Sequence, residues 1–202
     1  MYPELPTSTD IFYGRDIELR KMEELLDPRK PRQKGVMLCG ISGSGKTQTT
    51  LRFIMKHKRL YSAFIWINAL TIEHTKQSFS ETADMIASNW LSRDLPMIYT
   101  GSSNWKKVIT QLRMTRYSRW LLIIDSIDNL DLEDYRRYIP SCNHGSIVVT
   151  STQVQASEVF RMPKLDIDSL DPQSSCKLLI ARVVGAAREV DLSNTSKYYL
   201  VW

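Results

Sequence analysis

A three-layer α/β/α fold, with helices on both faces of a five-stranded parallel sheet, is predicted by this sequence of 202 residues. Three observations point to it. Apolar, β-rich runs alternate with helical patterns, as parallel strands require because each crossover must return the chain to the same edge of the sheet. The runs are apolar at nearly every position instead of every second one, which marks strands covered on both faces. A glycine-rich segment joins the first run directly to a helical pattern, a strand-loop-helix unit.

Taken in order, residues 15–26 read as a helix with Ile17, Met22, Leu25 and Leu26 at helical spacing. The first strand follows at 36–39, then a helix at 46–56 and a second strand at 63–67. Two helical patterns, about 75–90 and 105–116, precede the third strand at 120–124. The fourth strand is 146–150 and a weaker fifth is 165–167. Past Leu170, Asp171 and Pro172 supply an N-cap and a first-turn proline, and Cys176, Leu179, Ile180 and Val183 repeat at helical spacing. No internal repeat is visible. The apolar ending Tyr198-Tyr199-Leu200-Val201-Trp202 reads as a chain cut before its next domain is complete.

Composition removes several classes of function. Hydrophobic residues at 43% and charged residues at 24%, with eight glycines and eight prolines, exclude collagen-like and low-complexity chains. Cys39, Cys142 and Cys176 lie far apart, as do His57, His74 and His144, so neither a disulfide framework nor a zinc site is supported. The N-terminus has no basic segment followed by an apolar run, and the most hydrophobic stretch, 120–124, is far below membrane-spanning length. A cytoplasmic protein without membrane contact is expected. The net charge is +5, and residues 1–60 carry 12 basic against 7 acidic side chains while the rest is balanced. Arg29, Lys30, Arg32 and Lys34 form one part of that excess, and Lys56, Lys58 and Arg59 another. A basic patch attracts phosphates of any kind, nucleic acid included. A solvated loop and a helix end whose dipole favours cations explain it without a partner, and nucleic acid is not the expected one.

Gly40-Ile41-Ser42-Gly43-Ser44-Gly45-Lys46-Thr47 fits G-x-x-x-x-G-K-[ST] at every fixed position, in its required place between strand and helix. The glycines let backbone N–H groups point inward around a polyphosphate, and the helix adds its positive end. Lys46 should reach the β and γ phosphates, and the Thr47 hydroxyl should ligate Mg²⁺. The expected ADP/ATP-binding set is Gly40, Gly43, Ser44, Gly45, Lys46, Thr47 and the adjoining Gln48. Such a loop needs an acid at the end of another strand, and Trp120-Leu121-Leu122-Ile123-Ile124-Asp125 delivers one to the edge where ligands sit in open α/β sheets. Asp125 is therefore the second metal residue. The next position, where hydrolysing relatives of this fold often carry a second acid, is Ser126. Asp128 is the nearest other carboxylate, either a catalytic base or a turn residue. The catalytic set is Lys46, Asp125 and Asp128.

With these motifs the chain resembles the NB-ARC family of STAND-class signal-transduction P-loop NTPases, the nucleotide switch of NOD-like and plant disease-resistance receptors, in its fungal form. Phe12-Tyr13-Gly14-Arg15-Asp16-Ile17-Glu18-Leu19 resembles the family's hhGRxxEL entry motif, Phe64 to Ala69 its second strand, Gly145 to Ser151 its sensor strand, and Leu165 to Leu179 the exit to its helical subdomain. The resemblance covers 12–184 in the family's order. It implies strand order 5-1-4-3-2, an adenine-side contact from Arg15, and a γ-phosphate role for Thr150, whose alternative is an ordinary strand-end hydroxyl. It also implies division into a lead-in with the entry helix (1–34), a nucleotide domain (35–168) and the start of an ARC-type helical subdomain (169–202).

Two departures matter. Ser126 replaces the second acid of many members, and Thr152 stands where many have an arginine. An arginine there would stabilise transferring charge, so its loss predicts slow or absent hydrolysis. The expected function is an ADP/ATP switch with Mg²⁺ in an immune, NOD-like receptor, self-associating and joined to effector and repeat domains. The alternatives are an active AAA-like ATPase acting on nucleic acid and a degenerate interaction fragment.

Overall fold

The computed structural model describes residues 5–90, 103–114, 118–128 and 132–193, with side chains omitted at 88–90 and 185–193. The chain divides into two compact units, Met1–Ser8 with Asp16–Asp168, and Thr9–Arg15 with Ser169–Trp202. The apolar ending at Tyr198 to Trp202 lies outside the described residues, as do 115 and 116 of the helix predicted at 105–116, but that helix already ends at Leu112, where Arg113 caps it and the chain turns.

The first unit is built on a five-stranded parallel sheet. Its strands are β1 (Lys34–Cys39), β2 (Ala63–Asn68), β3 (Trp120–Asp125), β4 (Ser146–Ser151) and β5 (Lys164–Asp166), in the order β2-β3-β4-β1-β5. This is the expected order read from the other end. All six residues of β3 and all six of β4 are buried, which explains the unbroken apolar runs 120–124 and 147–149 within them.

Helices α1 (Asp16–Leu26), α2 (Lys46–His57), α3 (Ile72–Trp90) and α4 (Asn104–Leu112) connect and cover the sheet. Helix α1 buries Leu19, Met22 and Leu26, and α2 buries Leu51, Phe53 and Ile54. From α3, Phe79 enters the core that holds Trp120, Tyr135 and Ile65, a burial worth roughly 1.5–3 kcal/mol. Trp120 is fully buried and donates its indole N–H to the Leu112 carbonyl at 2.9 Å, so its polar atom is satisfied.

Two short helices were not predicted, α5 (Leu132–Tyr135), which leads into a 3₁₀ turn at Arg136–Tyr138, and α6 (Ala156–Phe160). At four and five residues they are too short to show a 3.6-residue repeat. Strands β1 and β5 each begin ahead of their predicted starts, because ladder hydrogen bonds recruit Lys34, Gly35 and Lys164 whatever their polarity. Helix α1 begins after Arg15, whose φ of 68° is left-handed.

The second unit carries α7 (Pro172–Ser193). The Asp171 carboxylate accepts from the Ser174 N–H at 2.9 Å, the predicted N-cap, and the Ser174 hydroxyl together with this N–H holds its carboxyl below the usual range. Within this unit Arg182 donates to the Thr9 hydroxyl at 3.0 Å.

Candidate functional site

Strands β3, β4 and β1 are neighbours, so whatever leaves their C-terminal ends meets at one edge of the sheet. The loop 40–45 leaves β1, Thr150 and Ser151 end β4, and Asp125 ends β3.

The glycines of the loop serve two different needs. Gly43 (φ 77°) and Gly45 (φ 95°) are left-handed in open surroundings, so the dihedral and not the space demands glycine. At Gly40 a Cβ would lie 2.3 Å from the Ile167 carbonyl oxygen and 2.8 Å from Ser44 Oγ, so close approach demands it. Helix α2 then starts at Lys46 with no acidic residue in its first turn, leaving its positive end uncompensated. Lys46 is buried, and its ammonium donates to the Gly40 carbonyl at 2.8 Å and the Ile41 carbonyl at 3.0 Å. The charge is thereby held inside the loop. A phosphate entering there offers it charged acceptors, which form stronger bonds than neutral carbonyls.

Next to the loop the Thr47 hydroxyl donates to the Asp125 carboxylate, 3.0 Å from Oδ1 and 3.1 Å from Oδ2. Thr150 donates to Oδ1 at 2.6 Å and accepts the Ser126 N–H at 2.8 Å. Burial pushes the Asp125 carboxyl up from its ordinary range, against the pull of the Thr150 and Thr47 bonds and the Lys46 charge. A hydroxyl and a carboxylate side by side are hard oxygen donors, and they suit Mg²⁺, which draws most of its ligands from water and phosphate. Among the described residues no group of three or more His, Cys, Asp or Glu forms a larger metal cage.

The predicted residues fall into three groups. Gly40, Gly43, Ser44, Gly45, Lys46, Thr47, Asp125 and Thr150 come together at this edge. Asp128 stands close by, with Oδ1 accepting from the Thr152 N–H at 2.6 Å and the Thr152 hydroxyl at 3.0 Å, and its carbonyl accepting from Gln153 at 2.7 Å. Gln48 is directed to the Thr7 carbonyl at 3.2 Å. Arg15 belongs to the second unit, where it is buried.

Sequence reasoning missed the contribution of β2 and α3. A cavity of about 880 Å³ adjoins the metal pair, lined by Thr47, Asp125 and Ser126 on one side and by Asn68, Ser78 and Glu81 on another. Asn68 ends β2 in register with Asp125, and polar residues recur at 74, 77, 78 and 81 on the cavity-lining face of α3. That recurrence was the available signal. Trp66 is buried and also lines the cavity.

Thr150 supports both a carboxylate and a backbone amide, and its removal is a direct test of that role. Thr150→Val keeps the shape but strands the Ser126 N–H, and is expected to cost about 1–3 kcal/mol in thermal or urea unfolding. It should also raise the Mg²⁺ concentration needed for nucleotide stabilisation. Unchanged stability and Mg²⁺ dependence would show that Thr150 positions nothing.

No protein-family model matches the chain. A nucleotide-binding leucine-rich repeat (NLR)-like protein of Hyaloscypha variabilis is 25% identical over 164 residues, which cover 72% of this chain but only 16% of that protein's length. Among solved structures, Cdc6p from Pyrobaculum aerophilum superposes with a TM-score of 0.64 at 15% identity, covering 89% of this chain and 52% of that one. The signal transduction ATPase with numerous domains (STAND) protein with a tetratricopeptide repeat sensor from Pyrococcus horikoshii gives 0.59 at 16%, covering 98% and 32%. The Drosophila ORC structure bound to DNA gives 0.61 at 16%, covering 89% and 49%. Among the described residues no helix is long and apolar enough to cross a membrane. The parallel sheet, the phosphate loop with its lysine and the Thr47–Asp125 pair, taken with these likenesses, give this domain a P-loop NTPase fold, which it shares with the STAND protein and with Cdc6p and ORC.

Proposed function

We propose that this domain is an NB-ARC-type switch, binding ADP or ATP with Mg²⁺ and coupling the nucleotide to conformation or assembly in a cytoplasmic, NOD-like signalling protein. Gly43, Gly45 and the α2 N-terminus bind phosphate, Lys46 neutralises its charge, and Thr47 with Asp125 holds the metal. The metal's contribution is to screen the charge of the β and γ phosphates. A switch needs different affinities for its ligands in its two states, because a ligand that binds both equally shifts nothing. The NLR-like name of the fungal relative, and the repeat sensor of the Pyrococcus protein, support flanking effector and repeat domains and self-association through the nucleotide domain.

One observation carries the slow hydrolysis. Ser126, with φ 70°, occupies the position after Asp125, and the nearest carboxylate, Asp128, has Oδ1 bonded to Thr152. The second acid is absent, and Asp128, three residues further on, is anchored to Thr152 through Oδ1. Steady-state phosphate release from ATP–Mg²⁺ is expected to stay well below about one per second, the lower end for ordinary enzymes. Turnover above that value would replace the switch with an active AAA-like ATPase.

A further inference from the structure

In a parallel sheet every strand begins at the same edge, so the connectors entering the five strands are gathered opposite the nucleotide loop. Their charge is strongly one-sided. Arg29, Lys30 and Arg32 precede β1, Lys58 and Arg59 precede β2, Arg113 and Arg119 precede β3, and Arg161 precedes β5. All eight are exposed, and Asp27, paired with Arg29 at 2.8 Å, is the sole carboxylate among the described connector residues at this edge. The connectors leaving the strands carry Asp128 and Asp168 instead. The strands enter across about 19 Å, four spacings of roughly 4.8 Å.

Helix dipoles account for part of this, since cations at the ends of α1 and α2 are favourable. They do not account for Arg32 and Arg119, which stand two residues and one residue ahead of strands. On the 3₁₀ turn Arg136 and Arg137 are paired with Glu133 and Asp134, whereas Arg32, Lys58, Arg59, Arg119 and Arg161 have no carboxylate partner among the described residues.

We propose that this edge binds the phosphate backbone of duplex nucleic acid without regard to sequence. Six of the eight cations are arginines, whose planar fork matches phosphate oxygens. A membrane surface would want exposed apolar side chains between the charges, but Tyr61 and Leu165 beside these connectors are buried. A single strand would want exposed aromatics for stacking, and the described connector residues offer none. The proposal is independent of the nucleotide site, which lies at the other edge.

The test is fluorescence anisotropy of a labelled 30-base-pair DNA duplex with the full chain across a KCl series. Two charge-matched variants accompany it: Lys30→Glu, Arg59→Glu, Arg119→Glu at the edge, and Lys21→Glu, Lys76→Glu, Lys106→Glu on helices α1, α3 and α4. About five phosphate contacts predict a log–log salt slope near −4 to −5. The edge variant should bind at least about thirtyfold more weakly, the helix variant within about threefold of native, and both should keep the native melting temperature. No duplex binding at low salt, a flat salt dependence, or equal losses in the two variants overturns the proposal. So does binding to vesicles of phosphatidylserine in phosphatidylcholine that is tighter than to duplex and lost in the edge variant. Loss of ADP–Mg²⁺ stabilisation in the native chain would count against the switch and leave this edge untouched.

Discussion

Lys46→Ala is expected to abolish the rise in melting temperature that ADP–Mg²⁺ or ATP–Mg²⁺ confers on the native chain. A ligand that binds only the folded state stabilises it by RT ln(1 + [L]/Kd), about 2.7 kcal/mol at a hundredfold excess over Kd. For a domain of this size that is a shift of about 5–10 °C. The lysine supplies the one charged side chain that the loop itself holds inside, 2.8 and 3.0 Å from the Gly40 and Ile41 carbonyls. Without it the phosphates meet only backbone dipoles and the helix end. The unliganded variant should melt near the native temperature, since the lost bonds go to the carbonyls of Gly40 and Ile41, a half-buried and an exposed residue, where water can replace the ammonium. A shift in the variant equal to the native one would remove the phosphate loop from nucleotide binding. Absence of a shift in the native chain would favour the degenerate interaction fragment.

Asp125→Asn is expected to act in opposite directions on stability and on metal dependence. Burial disfavours the ionised carboxylate, so the folded-state pKa lies above the unfolded one. A raised carboxyl pKa contributes stability that is fully present below the unfolded value and is lost as pH rises through the folded one. In EDTA at neutral pH the native chain therefore carries a buried charge that the amide variant lacks. The variant should melt a few degrees higher, with the gap opening as pH rises from about 4. The amide still accepts from Thr47 and Thr150 but brings no charge to a cation. Nucleotide stabilisation should accordingly lose its dependence on Mg²⁺. Differential scanning calorimetry over pH 4–8 with EDTA, and Mg²⁺ titrations of the nucleotide shift, measure both effects. A variant less stable than native at pH 7, with Mg²⁺ dependence intact, would place Asp125 in a structural role.

The phosphate loop was legible because its information is local. Gly43 and Gly45 answer to their own dihedrals, and Lys46 and Thr47 follow on the first turn of α2, so eight contiguous residues specify the cradle. The strand runs were equally legible, since burial on both faces leaves apolar residues at successive positions. Asp125 followed from the second fact applied to β3. The strand order did not follow from pattern and came from the family resemblance, because nothing within a strand names its neighbour.

The partners of these residues were hidden for the same physical reason. Thr150 lies 25 residues from Asp125, and Thr152 lies 24 from Asp128, yet each pair is in hydrogen-bond contact. Those contacts exist because β3 and β4 lie side by side in one register. Whether Thr150 is a phosphate sensor or a strand-end hydroxyl is open in the sequence; the fold ties its Oγ to the Asp125 carboxylate and the Ser126 amide. Arg161 precedes β5 and so stands at the edge opposite the phosphate loop. The chemistry of each side chain is written in the residue type. Which side chains share an edge depends on strand order and direction, and these are settled only when the whole sheet closes its hydrogen bonds and buries its two faces together.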